Sequence, residues 1–151
     1  MLGGYGQSSG EDRGAVLVEA AIITPLFVLL LFGIWTTARA WNVHNVLDHA
    51  AREAARYGAV DADNSAIEAI AQGELVAASF PWADVDYCST IIDGATVTST
   101  DPLGPCLGAA LDPTTDDRVQ VELVVDPYQL DFVFFDINVT LTARAVSRLE
   151  P

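Results

Sequence analysis

The stretch Ala20-Ala21-Ile22-Ile23-Thr24-Pro25-Leu26-Phe27-Val28-Leu29-Leu30-Leu31-Phe32-Gly33-Ile34-Trp35-Thr36-Thr37-Ala38 holds nineteen residues and no charge. About 20 mostly apolar residues carry a helix across the hydrocarbon core of a bilayer. Val16, Leu17 and Val18 lengthen the run on its N-terminal side. A cleavable secretory signal would have an apolar region of about 7–15 residues closed by a small-residue exit. This run is longer and leads into Trp35, Arg39 and Trp41, and tryptophans settle at the membrane interface. The stretch therefore reads as a retained membrane helix. Charge alone does not orient it, because Arg13 stands before the run with Glu11 and Asp12, and Arg39, Arg52 and Arg56 follow it.

One acid interrupts the apolar sequence. Glu19 is the fifth residue after Gly14 in Gly14-Ala15-Val16-Leu17-Val18-Glu19. On insertion scales a carboxylate at a helix centre costs about 2.5–3.5 kcal/mol, and less towards the end. Either Glu19 is an ordinary acid at the membrane edge or it has a function that compensates for this cost. Pro25 lacks an N–H for the carbonyl of Ala21, so a kink or a local opening is expected there. Neighbouring helices can satisfy the freed carbonyl, and the bend either serves packing or is merely tolerated.

The chain of 151 residues has room for one modest domain beside this helix. Its net charge is −14 and it contains no lysine. Such a surface repels nucleic acid, whose binding depends on basic groups, and offers no basic membrane patch. Cys88 and Cys106 are the only cysteines. Two readings stand for them, a pair of unrelated buried thiols or a disulfide formed in an oxidising compartment; the export-type helix favours the disulfide and places the C-terminal part outside the cytoplasm. A bridge would close a loop of about 19 residues and contribute about 3 kcal/mol. No metal is expected. His44 and His49 lie far from the cysteines, and Asp112, Asp116 and Asp117 lack the spacing of a calcium loop. No glycine-rich phosphate loop or nucleophile motif is present, so neither a cofactor nor an enzymatic role is expected.

Residues 1–14 are rich in glycine and serine and are expected to be disordered. The helix should continue to about Tyr57, with Gly58 placed to stop it. Ala50, Ala51, Ala54 and Ala55 form a stripe that either admits a close neighbour or simply favours helix. Ser65-Ala66-Ile67-Glu68 fits a capping box and opens a second helix with Ile67, Ile70, Ala71 and Leu75 on one face, ending before Pro81. Strands are expected over 85–92 and 95–100. Two more follow from alternation, through Val119, Val121, Leu123 and Val125 and through Ile137, Val139, Leu141, Ala143 and Ala145. These two should pair antiparallel across a connection spanning 126–136. The expected fold is α+β: a long N-terminal membrane helix, a short second helix and a small antiparallel sheet. Within the connection, Tyr128, Phe132, Phe134 and Phe135 belong to an apolar segment. If exposed it would meet a partner or membrane; if folded under the sheet it is core.

Gly14-Ala15 with Glu19, ahead of an apolar helix, resembles a class III prepilin-peptidase site, with glycine before the cut and glutamate at the fifth mature position. Val18-Glu19-Ala20-Ala21, then Pro25-Leu26 and Gly33-Ile34, resemble the TadE/TadG family of tight-adherence pilus pseudopilins. So does Ala51-Arg52-Glu53-Ala54-Ala55-Arg56-Tyr57-Gly58-Ala59 beyond the helix, and the resemblance spans about residues 13–59. It implies a leader over 1–14, a transmembrane and juxtamembrane helix over 15–58, and an extracytoplasmic α+β domain of pilin type over 59–151. It also implies a single pass with the N-terminus inside, and a minor pilin whose partners are the membrane, a prepilin peptidase, the major pilin and other minor pilins. The alternative is an uncleaved membrane-anchored binding domain. Cleavage would free the amine of Ala15, positively charged near neutral pH. Ala15 and Glu19 are four apart and share a helix face, so the carboxylate could pair with its own amine or a neighbouring subunit's. In a low dielectric such a pair offsets desolvation only with good geometry. Gly14 would let a peptidase approach the backbone and would take up an extended conformation readily.

Overall fold

The apolar run becomes the first half of one 48-residue helix, α1 (Glu11–Gly58), about 70 Å long at 1.5 Å per residue. The computed structural model describes residues 11–94, 96–100, 106, 117–132 and 134–150. Most of the leader, 1–10, lies outside them, but Glu11 to Gly14 are helical, which corrects the expectation of disorder for those four. Helix runs through Pro25 without a break, so the local opening anticipated there does not occur. The two halves of α1 differ in burial. From Val16 to Trp35 its large side chains are exposed all round, whereas Leu47, Ala50, Ala51, Ala54 and Ala55 are fully buried. That second set recurs at intervals of three and one, which is one face of a helix. The alanine stripe therefore serves close packing, because the sheet and the second helix lie directly against it.

The second helix, α2 (Asn64–Ala77), buries Ile67, Ala71 and Leu75 against that stripe. Its cap differs from expectation. Asp63 is the N-cap, in extended conformation, and its carboxylate accepts the Ser65 N–H at 3.0 Å and the Ser65 hydroxyl at 2.9 Å. Asp is as good a cap as Ser, and it comes first in the chain, so the helix starts before the Ser65–Glu68 box can form. A 3-10 turn at Trp82–Asp84 leads into the sheet.

Four strands follow: β1 (Asp86–Asp93), β2 (Thr96–Ser99), β3 (Arg118–Asp131) and β4 (Asp136–Arg148). They form one antiparallel sheet in the order β2-β1-β3-β4. The β1–β2 turn uses Gly94 at φ 56°, a conformation that glycine adopts without steric cost. Val119, Val121, Leu123 and Val125 of β3 join Ile91, Ala143 and Ala145 in the core under α1 and α2. The other face is also buried at its centre, through Thr90, Ile92, Gln120 and Glu122. Together the elements make the expected α+β architecture.

The β3–β4 hairpin is longer than the alternation pattern implied. The expected connection of 126–136 shrinks to residues 132–135, because β3 continues past a register shift between Val125 and Tyr128 and pairs again from Tyr128↔Val139 to Asp131↔Asp136. Such a bulge bends a strand and increases its twist. Pro127 sits within it, where no ladder N–H is demanded.

Candidate functional site

Two regions carry the residues singled out from sequence, and they lie on different elements. Gly14, Ala15, Glu19 and Pro25 all sit on the exposed N-terminal half of α1. Glu19 makes no hydrogen bond or ion pair with a described residue. Around it the surface is apolar: Ala15, Val18, Ile22 and Ile23 are exposed with it. The carboxylate is thus presented on a lipid-compatible helix and left available to a group from outside this fold. Gly14 is a helical residue here, with nothing within 4 Å of where a Cβ would stand. Glycine inside a helix costs about 0.5–1 kcal/mol relative to alanine, so the first turns of the helix are weakened at this point.

Farther along α1, two hydroxyls turn back on the helix. Thr37 donates to the carbonyl of Gly33 at 2.9 Å, and Thr36 to that of Phe32 at 2.9 Å. Both hydroxyls are satisfied within the helix without water, an arrangement compatible with a hydrocarbon surrounding. The Thr36 hydroxyl also lies 3.1 Å from the carbonyl of Asp131 and shares its proton between the two acceptors. This bond joins α1 to the end of β3. Tyr128, Gln129, Leu130 and Asp131 face Phe32, Trp35, Thr36 and Arg39 across a crevice of about 350 Å³.

The aromatic segment splits accordingly. Tyr128 is half-buried and packs on the core. Phe132 and Phe135 stack with ring centroids 5.0 Å apart. Phe134 and Phe135 are exposed, at 78% and 58%. The reading of this segment as core under the sheet is corrected for these two. The bulge carries the hairpin end past the sheet, so no layer lies over them.

Cys88 and Cys106 form a disulfide, with Cα atoms 5.7 Å apart. It lies on the sheet face opposite α1, next to the Thr90 hydroxyl, which accepts the Cys106 N–H at 3.2 Å. Nearby, the Ser89 hydroxyl donates to Asn64 Oδ1 at 2.7 Å and ties β1 to the start of α2. Asp112 and Asp116 lie outside the described residues; Asp117 accepts the N–H of Gly94. Among the described residues no cluster of three or more potential ligands could hold a metal ion.

The family model described as TadE-like protein matches residues 14–56. This segment is TadE-like. It begins at Gly14, runs through Glu19 and Pro25 and ends just past the buried alanine stripe, so it coincides with α1 almost entire. TadE-like proteins belong to the tight-adherence pilus system, and the likeness covers less than a third of this chain. The matched helix is also the one, among the described residues, that is long and apolar enough to cross a membrane. No curated protein matches the chain, and no solved structure does.

Four participants escaped the sequence reading. Thr36 is one of two adjacent threonines, and nothing local distinguishes it from Thr37. Glu122 is 4% exposed and takes both the Nε and the NH2 donors of Arg144 on its Oε1, at 2.9 and 2.8 Å, while its Oε2 has no partner. Both residues stand at polar positions of alternating strands, and only the register that sets them opposite each other identifies the pair. Asp63 was also missed as the cap in favour of Ser65, although an acid directly before a helix start is a signal that could have found it.

Proposed function

We propose that this protein is a minor pilin, or pseudopilin, of a tight-adherence pilus, cut after Gly14 by a membrane prepilin peptidase and assembled through its N-terminal helix. The observation that carries the proposal is the TadE-like match over residues 14–56, which opens at Gly14 and holds a single exposed carboxylate, Glu19, within its first turns. In this reading the leader is 1–14, α1 from Ala15 onward is the membrane and packing helix, and 59–151 lies outside the cytoplasm. The disulfide supports that orientation, because bridges persist in oxidising compartments.

Cleavage frees the amine of Ala15 one helical turn from Glu19. The carboxylate then holds its own amine, or that of the subunit ahead, and draws the helix from lipid into the filament. The helical Glu11–Gly14 segment has to unwind to enter a peptidase, and Gly14 makes that step cheap. The protein would act in pilus initiation, in assembly or at the tip.

N-terminal sequencing of the protein from its native membrane tests this. A new terminus at Ala15, lost in Gly14→Ala, is the expected result. A Cβ at that position meets nothing within 4 Å, and alanine strengthens the helix, so loss of cleavage would reflect recognition or unwinding at the cut and not misfolding. An intact leader in cells with an active peptidase would leave the uncleaved membrane-anchored domain as the better account.

A further inference from the structure

The end of the β3–β4 hairpin is apolar, exposed and held at a defined height on the membrane helix. Phe134, Phe135 and Ile137 are exposed at 78%, 58% and 43%, and Phe132 stacks on Phe135. Backbone closes the tip on itself, the Phe132 N–H donating to the carbonyl of Phe135 at 2.9 Å. The Thr36 hydroxyl then fixes the position of the tip by its bond to the carbonyl of Asp131. Thr36 lies two residues inside the C-terminal end of the uncharged run, which closes at Ala38 before Arg39. At 1.5 Å per residue this is about 3 Å inside the apolar boundary. Trp35 and Trp41, both largely exposed, bracket the same level, as interfacial tryptophans do. A hairpin end bonded to the helix here reaches the lipid interface whenever the helix spans.

Charge sets the depth. No ionisable side chain stands between Asp131 and Asp136, and these two are direct partners across the ladder, both exposed. The aromatic end can enter the interface, while two carboxylates facing each other hold the hairpin at that depth. No residue from Asp131 to Asp136 is basic, so the tip's own attraction to lipid is apolar, and Arg39 of α1 stands behind it across the crevice.

We infer that the β3–β4 tip inserts Phe132, Phe134 and Phe135 into the membrane interface at the C-terminal end of the span, giving the protein a second lipid attachment beside α1. The inference rests on α1 crossing the bilayer, but not on cleavage or pilus assembly. The occupant is lipid and not a second copy, because the tip continues the exposed apolar surface of the spanning helix at the level where that surface meets the interface.

Depth measurement by nitroxide spin label tests this in the full chain, reconstituted in phosphatidylcholine vesicles. Both native cysteines are bridged, so a single introduced cysteine is the only free thiol. Phe134→Cys carries the reporter. Phe27→Cys reports the middle of the span. Val97→Cys reports the far end of the sheet, since Val97 pairs with Ile92 and Ile92 with Arg118, about 40 Å along β3 from the tip at the rise of a strand. The label at 134 is expected to collide several-fold more with dissolved oxygen, relative to a water-soluble nickel chelate, than the label at 97, with that at 27 higher still. A label at 134 that behaves like the one at 97 while the one at 27 reads hydrocarbon would overturn the tip insertion alone. A label at 134 shielded from both reagents would mean a protein neighbour and would overturn it as well. Water exposure at all three sites would overturn both the span and the inference. Phe134 is exposed, so the substitution leaves the core intact, and Phe135→Cys repeats the measurement at a neighbouring site.

Discussion

Gly58 and Gly73 look alike in the sequence, each a glycine in or at the end of a helix, yet their surroundings oppose each other. A Cβ on Gly58 would stand 2.6 Å from Ile67 Cδ1 and 2.9 Å from Val119 Cγ1, whereas one on Gly73 would meet nothing within 4 Å. Gly58→Ala should therefore overpack the core and lose about 1–2 kcal/mol. Gly73→Ala should gain up to about 1 kcal/mol from helix propensity. Urea midpoints of the detergent-solubilised protein moving in opposite directions would bear this out, and a gain at both sites would refute it. Gly58 is thus glycine for reasons of packing, as the last residue of α1, and not as a left-handed cap, since its φ is not positive. Tyr87 makes a second case. Burial pushes its phenol up to about 12 from 10, and the hydroxyl has no partner in hydrogen-bonding geometry. Above pH 10 the unfolded chain releases this proton while the folded chain keeps it, so stability falls as pH rises from about 10 to 12. Tyr87→Phe should remove that part of the alkaline loss, read as the difference in melting temperature between pH 9 and pH 11.

At the scale of elements, the β3–β4 hairpin does two jobs along its length. Its outer half, from Arg118 to Val125, builds the core, and Glu122 is anchored there by Arg144. Arg144→Ala leaves a buried carboxylate unpaired and should cost about 2 kcal/mol. Replacing both partners by leucine should recover most of it, because a well-packed apolar pair escapes the desolvation penalty. A double variant no better than the single one would show that the pair is not the cause. The inner half of the hairpin, beyond the bulge, leaves the sheet and meets α1 at Thr36. Thr36→Val removes that bond while keeping the shape, and should increase amide hydrogen exchange at Asp131 and Phe132 without lowering protection in the core strands.

For the molecule as a whole, α1 is both a helix apolar and long enough to cross a membrane and, in its second half, a wall of the core that residues beyond Gly58 complete. Residues 59–151 expressed alone would lose the stripe from Leu47 to Ala55 and with it one wall of the core. The remaining sheet should then be unfolded or aggregated, as seen in the loss of dispersed amide resonances. The Cys88–Cys106 bridge acts at this scale too, and reduction should lower stability by about 3 kcal/mol by relaxing a constraint on the unfolded chain. The unfolding midpoint should drop with dithiothreitol in the native chain and stay unchanged in a Cys88→Ser/Cys106→Ser variant.

The sequence by itself determined the helical span, the second helix, the alternating strands and their antiparallel arrangement, since each rests on local periodicity of apolar residues. The Gly14–Glu19 spacing was legible for the same reason, as both residues lie within a few positions of one element. The Glu122–Arg144 pair, the burial of the alanine stripe and the place of the aromatic tip were decided only by tertiary structure. Each depends on how far β3 extends past its bulge and which register it keeps with β4, and these are set by packing between residues up to 95 positions apart, as in Thr36 and Asp131. Local pattern says which face of an element is apolar; only the assembled core decides what, if anything, covers it.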